Sequence, residues 1–103
     1  MPSYATSQHE LIGLTRVLAN EWTPLGIRVN ALAPGYFETD LTTAHRSDEQ
    51  RAEQMMRRVP AGRWGKPEEL GGAAVFLASD ASSFVSGATI AVDGGWLSRY
   101  AVE

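Results

Sequence analysis

The sequence of 103 residues predicts an α/β fold whose strands belong to a doubly wound parallel sheet. Two short segments, 27–33 and 88–92, are apolar almost throughout, which is typical of strands covered on both faces. Segments with helix signals precede and separate them, so the predicted order is helix, strand, helix, helix, strand. A right-handed crossover joining a parallel pair is the economical topology for this order. Two strands alone make an incomplete sheet with two open edges, so we expect a portion of a larger fold or a module that associates.

The first helix is predicted over residues 7–22, because apolar side chains recur at spacings of three and four residues. Ser7 and Glu10 fit a capping box at its start, and an earlier start near Ser3 or Tyr4 is the alternative. Pro24 and Gly26 end the helix. The side chains that form this apolar face are Leu11, Leu14, Leu18 and Trp22.

The interval between the two strands, residues 34–87, is much longer than a minimal crossover of about 10–12 residues. Its surplus, residues 36–66, is polar and is predicted to form a substrate loop or lid, with a solvated surface insertion as the alternative. A charged helix is predicted within it, from Ser47 to about Val59.

A further helix is predicted to begin at Pro67, followed by Glu68 and Glu69 in the first turn, where acidic side chains favour the helix dipole. Gly71 and Gly72 each cost such a helix about 1 kcal/mol relative to alanine, unless another backbone comes close. The expected packing face consists of Leu70, Ala73, Ala74 and Leu77.

Composition excludes several classes of function. The net charge of −3 argues against nucleic acid or an anionic membrane as partner, and the absence of cysteine excludes disulfides and thiolate metal sites. His9 and His45 have no metal-ligand spacing, so we expect no metal site and two solvent-facing histidines. No signal-peptide pattern opens the sequence and no apolar run approaches a membrane span, so a cytoplasmic location is expected.

The clearest candidate for a binding site is the break at Pro34 and Gly35, directly after the first strand. Ligands of open α/β sheets bind just beyond the carboxyl ends of parallel strands. The proline ends the strand, and the glycine allows backbone to approach a flat ligand closely.

Five segments together resemble the short-chain dehydrogenase/reductase family, and the match extends over nearly the whole chain. They are residues 4–8, residues 28–35 with Thr39, and residues 60–69, 76–87 and 92–96. Within the family, residues 19–22, 46–58 and 91–97 are most similar to the 2-deoxy-gluconate and 2-dehydro-3-deoxy-gluconate dehydrogenases. The resemblance implies that residues 1–103 are the C-terminal portion of a Rossmann-like domain. It also implies an NAD- or NADP-dependent oxidoreductase acting on the CH–OH group of a sugar acid.

The resemblance also implies roles for individual residues. Tyr4 takes the position of the family's catalytic tyrosine, but Gln8 stands where the family has a lysine. A phenol has a pKa of about 10, and the lysine one helical turn on lowers it through its charge, which an amide cannot do. The residues implied to line the nicotinamide site are Pro34, Gly35, Phe37 and Thr39, with the Phe37 backbone meeting the carboxamide.

Arg46 and Arg51 lie in the predicted lid, where an arginine fork would suit the carboxylate of a sugar acid. The alternative is a solvated helix face, on which these arginines pair with the acidic residues Asp48, Glu49 and Glu53.

Other parts that the family needs are missing from this sequence. It has no glycine-rich turn for a pyrophosphate, and the family's catalytic serine would precede Met1. We therefore expect the isolated chain to be inactive. Alternative interpretations are a non-catalytic interaction module or a truncated gene product. The apolar tail contains Trp96, Leu97 and Tyr100, and the resemblance implies that this tail, the last strand and the long helices form subunit contacts, so we expect homo-oligomers or association with a complete relative. The alternative is that the tail folds back onto the chain's own small core.

Overall fold

The computed structural model describes residues 2–99, and side chains from residue 7 onward. The chain divides into two compact units. The first contains the chain up to Leu32 together with Val75–Ile90, and the second contains Ala33–Ala74 together with the chain from Ala91.

Helix α1 spans Pro2–Trp22 and continues into a 3-10 turn at Thr23–Leu25. Gly26 closes this turn in the left-handed conformation (φ 85°), where glycine is favoured, and donates its N–H to the Thr23 carbonyl. The end of the helix is as predicted. The capping box at Ser7 is wrong, since that residue lies inside a helix that begins a turn earlier.

Most of the apolar face predicted for α1 is exposed in the described part of the chain, with Leu18 half-buried. Thr15 and Ala19 are the buried positions, with 4% and 6% of their surface exposed, whereas Leu14 and Val17 are 56% and 55% exposed. Small side chains are buried because the segment around Gly87 approaches closely, and a Cβ built on Gly87 would lie 3.4 Å from the Ala19 Cβ.

Strands β1, Ala31–Pro34, and β2, Thr89–Val92, pair as a two-stranded parallel sheet. The predicted incomplete parallel sheet is therefore confirmed, although β1 is shorter than residues 27–33. Before β1, side chains supplement the backbone pairing, in which Gly87 donates its N–H to the Val29 carbonyl at 2.7 Å. Asn30 donates from Nδ2 to the Val85 carbonyl and accepts the Ala88 N–H at Oδ1, each at 3.0 Å. The Ser86 hydroxyl accepts the Val29 N–H at 3.2 Å.

The charged helix predicted over residues 47–59 is instead two short helices, α2 at Thr43–Ser47 and α3 at Glu49–Met56. They are separated by Asp48, whose extended backbone interrupts the helix and whose Oδ1 accepts the Arg51 N–H at 3.1 Å. A carboxylate at the start of a helix satisfies an otherwise unpaired N–H. A 3-10 turn at Asp40–Thr42 leads into α2.

Helix α4, Pro67–Ala78, begins at the predicted proline, and a 3-10 turn at Asp80–Ser82 follows it. Leu70, Ala73 and Leu77 are partly buried, but Ala74 is exposed, so the predicted face is only partly correct. No described atom of a neighbouring element lies within 4 Å of a Cβ built on Gly71 or Gly72. Over residues 2–99, no helix combines the length and apolar character needed to cross a membrane.

Candidate functional site

The loop from Pro34 to Thr39 starts where β1 ends, as predicted. Gly35 continues the pairing by donating its N–H to the Val92 carbonyl at 3.0 Å. A Cβ added to Gly35 would lie 2.7 Å from the Asp93 Cβ, so only glycine lets the loop lie against the turn after β2. The glycine that the sequence associates with a ligand is thus required by packing within the second unit.

Phe37 anchors the middle of this loop, with 8% of its surface exposed. Its ring lies over Gly65, where an added Cβ would lie 2.6 Å from the ring. The backbones on either side form a parallel bridge, in which Glu38 donates to the Gly65 carbonyl at 2.8 Å and Gly65 donates to the Tyr36 carbonyl at 2.9 Å. The main chain of residues 36–38 is therefore fixed from the side of the 60–66 turn.

Arg46 points back at the same loop. Its Nη2 donates to the Thr39 carbonyl at 3.0 Å, and its Nε donates to the Thr42 hydroxyl at 3.2 Å. The guanidinium is therefore bound within its own segment. These contacts differ from both the predicted fork to a substrate carboxylate and the alternative pairing with Asp48.

Arg51 and His45 differ from Arg46 in their surroundings. Arg51 lies in α3 and is exposed. Among residues 2–99, the ion pair formed at this helix joins Arg57 to Glu53 at 2.9 Å. The expectation of a solvent-facing histidine is wrong for His45, which is half-buried. Its Nδ1 is buried and has no hydrogen-bond partner among the described residues.

The second unit also contains a cavity of about 90 Å³. Its lining residues are Tyr36, Phe37, Ala61, Arg63, Gly65, Glu69, Val92, Asp93 and Gly94. Arg63 and Glu69 form two parallel hydrogen bonds at 2.7 and 2.8 Å. The hydrogen bonds from Arg63, followed by that from the Lys66 N–H, lower the pKa of Glu69 to about 2.

Aromatic rings next to this cavity pack on Tyr36. The ring centroids of Trp64 and Trp96 lie 5.9 and 6.3 Å from that of Tyr36, in tilted and edge-on arrangements that aromatic quadrupoles favour. The sequence predicts only a first-turn position for Glu69 and a place in the apolar tail for Trp96, and it predicts no role for Arg63 or Tyr36. The sequence feature that could have indicated the Arg63–Glu69 ion pair is the short spacing between Arg63 and the acidic first turn of α4.

Tyr4 and Gln8 both lie in α1, and therefore in the first unit. For Tyr4 only the backbone is described, while Gln8 is half-buried one helical turn later. Within residues 2–99, no group of three or more histidine, cysteine, aspartate or glutamate side chains could hold a metal ion.

Comparison with known proteins agrees with this arrangement of strand, loop and helices. The family model described as enoyl-(acyl carrier protein) reductase matches residues 1–97. The chain therefore belongs to the short-chain dehydrogenase/reductase family.

Among individual proteins, the chain is 56% identical over 99 residues to the 2-dehydro-3-deoxy-D-gluconate 5-dehydrogenase of Bacillus subtilis, covering 96% of this chain and 39% of that protein. A candidate 2-deoxy-D-gluconate 3-dehydrogenase from Agrobacterium tumefaciens, crystallised with NADP, superposes with a TM-score of 0.86 at 55% identity. That match covers 95% of this chain and 40% of the other. For a gluconate 5-dehydrogenase from Burkholderia cenocepacia in complex with NADP and tartrate, the TM-score is 0.83 at 48% identity, with 92% and 37% covered. The chain thus spans about two fifths of the length of these relatives.

Proposed function

We propose that this chain provides the nicotinamide-facing loop and the substrate segment of an NAD(P)-dependent dehydrogenase acting on the CH–OH group of a sugar acid. The observation that carries the proposal is the loop from Pro34 to Thr39, which follows a parallel strand and is held from both Asp93 and Gly65. Relatives with this sequence pattern carry the names of gluconate-type dehydrogenases, and some were crystallised with NADP.

The loop suits the nicotinamide end of such a cofactor. Pro34 and Gly35 set the path of the backbone, and Phe37 buries its ring so that its main chain remains the part available to a carboxamide. Thr39 is exposed and adds a hydroxyl. The bound nicotinamide would accept or deliver a hydride, while these residues orient its ring.

We expect no binding site for the cofactor's pyrophosphate, because the 103 residues contain no glycine-rich turn. We therefore expect only weak cofactor binding by the isolated chain, and no turnover. Tyr4 is the proposed proton-transferring residue by family position. Gln8 carries no charge that would lower the pKa of a neighbouring phenol.

For the substrate, Arg51 is the more available of the two proposed arginines. Arg51 is exposed to solvent. In Arg46, by contrast, Nη2 donates to the Thr39 carbonyl and Nε donates to the Thr42 hydroxyl. A carboxylate would pair with Arg51 through two parallel hydrogen bonds. Because Arg51 is exposed to water, its ion pair with a substrate carboxylate would contribute mainly to the choice of substrate.

A second candidate function is a non-catalytic association module. It is favoured by the exposed apolar side chains of the first unit, of which Leu14 and Val17 on α1 and Val75 on α4 are 56%, 55% and 68% exposed. Surfaces of this kind on a folded chain usually mark an interface. Homo-oligomers or a complex with a complete family member would cover them.

The test of the dehydrogenase proposal is a titration of the isotope-labelled chain with NADH, followed by backbone NMR. We expect the amide signals of residues 35–39 to shift with NADH and to stay unchanged with ADP-ribose, which lacks the nicotinamide. A Thr39→Val variant should reduce the shifts, and a control at an exposed threonine of the first unit, Thr23→Val, should not. Equal shifts with both ligands, or shifts confined to other residues, would favour the association module instead.

A further inference from the structure

The Thr42 hydroxyl joins the substrate segment to the proposed cofactor loop. It donates to the Phe37 carbonyl at 2.7 Å and, over a longer distance of 3.1 Å, to the Thr39 carbonyl. It also accepts the Thr39 N–H at 3.1 Å and the Arg46 Nε–H at 3.2 Å. One side chain therefore contacts both the loop and helix α2.

These contacts use the full capacity of the hydroxyl. A threonine oxygen offers one hydrogen to donate and two lone pairs to accept. At Thr42 the lone pairs take the N–H groups of Thr39 and Arg46, which directs the hydrogen toward the shorter contact at Phe37. Since Thr42 is half-buried, replacing these partners with water is less favourable than at an exposed site.

Arg46 reinforces the same connection from α2. Its Nη2 binds the Thr39 carbonyl at 3.0 Å while its Nε binds Thr42, so one planar guanidinium spans both residues. A rigid fork that contacts two groups loses less conformational entropy for each bond than two separate side chains would. Displacement of α2 would break these contacts together and release Thr42 from the loop.

We propose that Thr42 is a positioning residue, whose hydroxyl couples the placement of helix α2 to the orientation of the Phe37 carbonyl. The inference rests on the proposed function only for the statement that this carbonyl faces the nicotinamide carboxamide. The simpler alternative is local capping, in which Thr42 serves only the start of its own helix. If the Thr42 hydroxyl couples the two segments, its effect reaches Phe37 and the bridge to Gly65. If it only caps the helix, its effect ends at Thr39.

The two alternatives predict different hydrogen exchange in the complete 103-residue chain without ligand. The informative amides are Glu38 and Gly65, which form the bridge beside Phe37 but do not contact Thr42. In Thr42→Val, which keeps the shape and removes the hydroxyl, we expect both to exchange about five-fold faster or more, as for the loss of one hydrogen bond.

Two variants serve as controls for this measurement. Thr42→Ser keeps the hydroxyl and should stay within about two-fold of the wild type. Thr43→Val removes contacts of 3.3 and 3.4 Å to Thr39 and Arg46 but none to Phe37, so Glu38 and Gly65 should keep their rates. Acceleration in Thr42→Val that is confined to residues 39–47 would overturn the coupling and leave only the cap.

A third variant keeps the proposal testable if Thr42→Val does not fold. Arg46→Met removes the donors to both Thr42 and Thr39, so it should speed exchange at Glu38 to a smaller extent, and an unchanged rate would count against the coupling. NADH titration separates the two proposals. If the wild type shows no nicotinamide-specific shifts, the dehydrogenase function fails while the exchange result for Thr42 still stands.

Discussion

The guanidinium of Arg28 closes on Ser82, whose carbonyl and hydroxyl oxygens each lie 2.7 Å from Nη1. Ser82 is fully buried, with none of its surface exposed. The same guanidinium reaches the carbonyls of Leu77 at 3.2 Å and Ser79 at 3.3 Å. These oxygens belong to the carboxyl end of α4 and the turn after it, where unpaired carbonyls carry partial negative charge. Arg28 therefore caps a helix that lies about fifty residues further along the chain.

The first prediction follows from this cap. Arg28→Met should lower the free energy of unfolding by about 1–3 kcal/mol, because buried carbonyls lose a charged donor. Arg28→Lys should recover only part of the loss, since one ammonium replaces two nitrogen donors that contact four oxygens. Urea unfolding followed by circular dichroism measures the difference. Arg16→Met, at an exposed position of α1, is the control and should change stability little.

The second prediction concerns the close approach of Gly35 to Asp93. Gly35→Ala places a methyl group 2.7 Å from the Asp93 Cβ, so the loop or the turn must move, at a cost of about 1–3 kcal/mol. Gly13→Ala is the matched control, because no described atom of a neighbouring element lies within 4 Å of the new methyl on α1. That change should stabilise by about 0.5–1 kcal/mol. Thermal unfolding of both variants tests the pair, and equal effects of the same sign would contradict it.

Sequence predicts best where one residue acts on its own neighbours. Pro67 starts α4 and the Pro34–Gly35 break ends β1 as predicted, since proline removes a donor wherever it stands. The hydrogen bonds of Arg28 to Ser82 and of Asn30 to Val85 could not be predicted, because these partners lie more than fifty residues away in the sequence. Periodicity likewise indicates that α1 is amphipathic, but not which part of its apolar arc the chain covers.

The candidate site shows the same division. The position of the Pro34–Thr39 loop follows from its sequence, whereas the contacts that hold it come from Asp93, Gly65 and Thr42. The Thr42 contact did leave a local signal, since two threonines spaced by three residues can exchange hydrogen bonds around a helix start.

The third prediction concerns the pH dependence of the Arg63–Glu69 pair. The pKa of Glu69 is about 2 in the folded chain and 4.5 as its ordinary value, so the carboxylate is stabilised by folding. Its contribution is present above about pH 4.5 and is lost as the pH falls toward 2. Glu69→Gln should flatten the acid limb of the unfolding midpoint plotted against pH. Glu68→Gln, on the same turn, is the control for removing a carboxylate there, and Glu69→Gln should flatten that limb more than this control does.

The fourth prediction concerns association through the first unit. Wild-type chain should sediment as oligomers at micromolar concentration, because exposed apolar side chains on α1 and α4 gain by leaving water. Leu14→Glu should shift the population toward monomer. Leu41→Glu, which changes a leucine that is 92% exposed in the second unit, is the control and should not. Monomers at every concentration in the wild type would contradict the proposed interface.

The fifth prediction concerns Gln8, which occupies the position of the family's lysine. Gln8→Lys restores a positive charge one helical turn from Tyr4, and that charge should lower the pKa of a nearby phenol. The change should nonetheless give the isolated chain no dehydrogenase activity, since its sequence still lacks a glycine-rich turn for the pyrophosphate. The measurement follows reduced nicotinamide by absorbance, with gluconate-type substrates and both NAD and NADP. Steady cofactor-dependent turnover by this variant would mean that the 103 residues hold a complete active site after all.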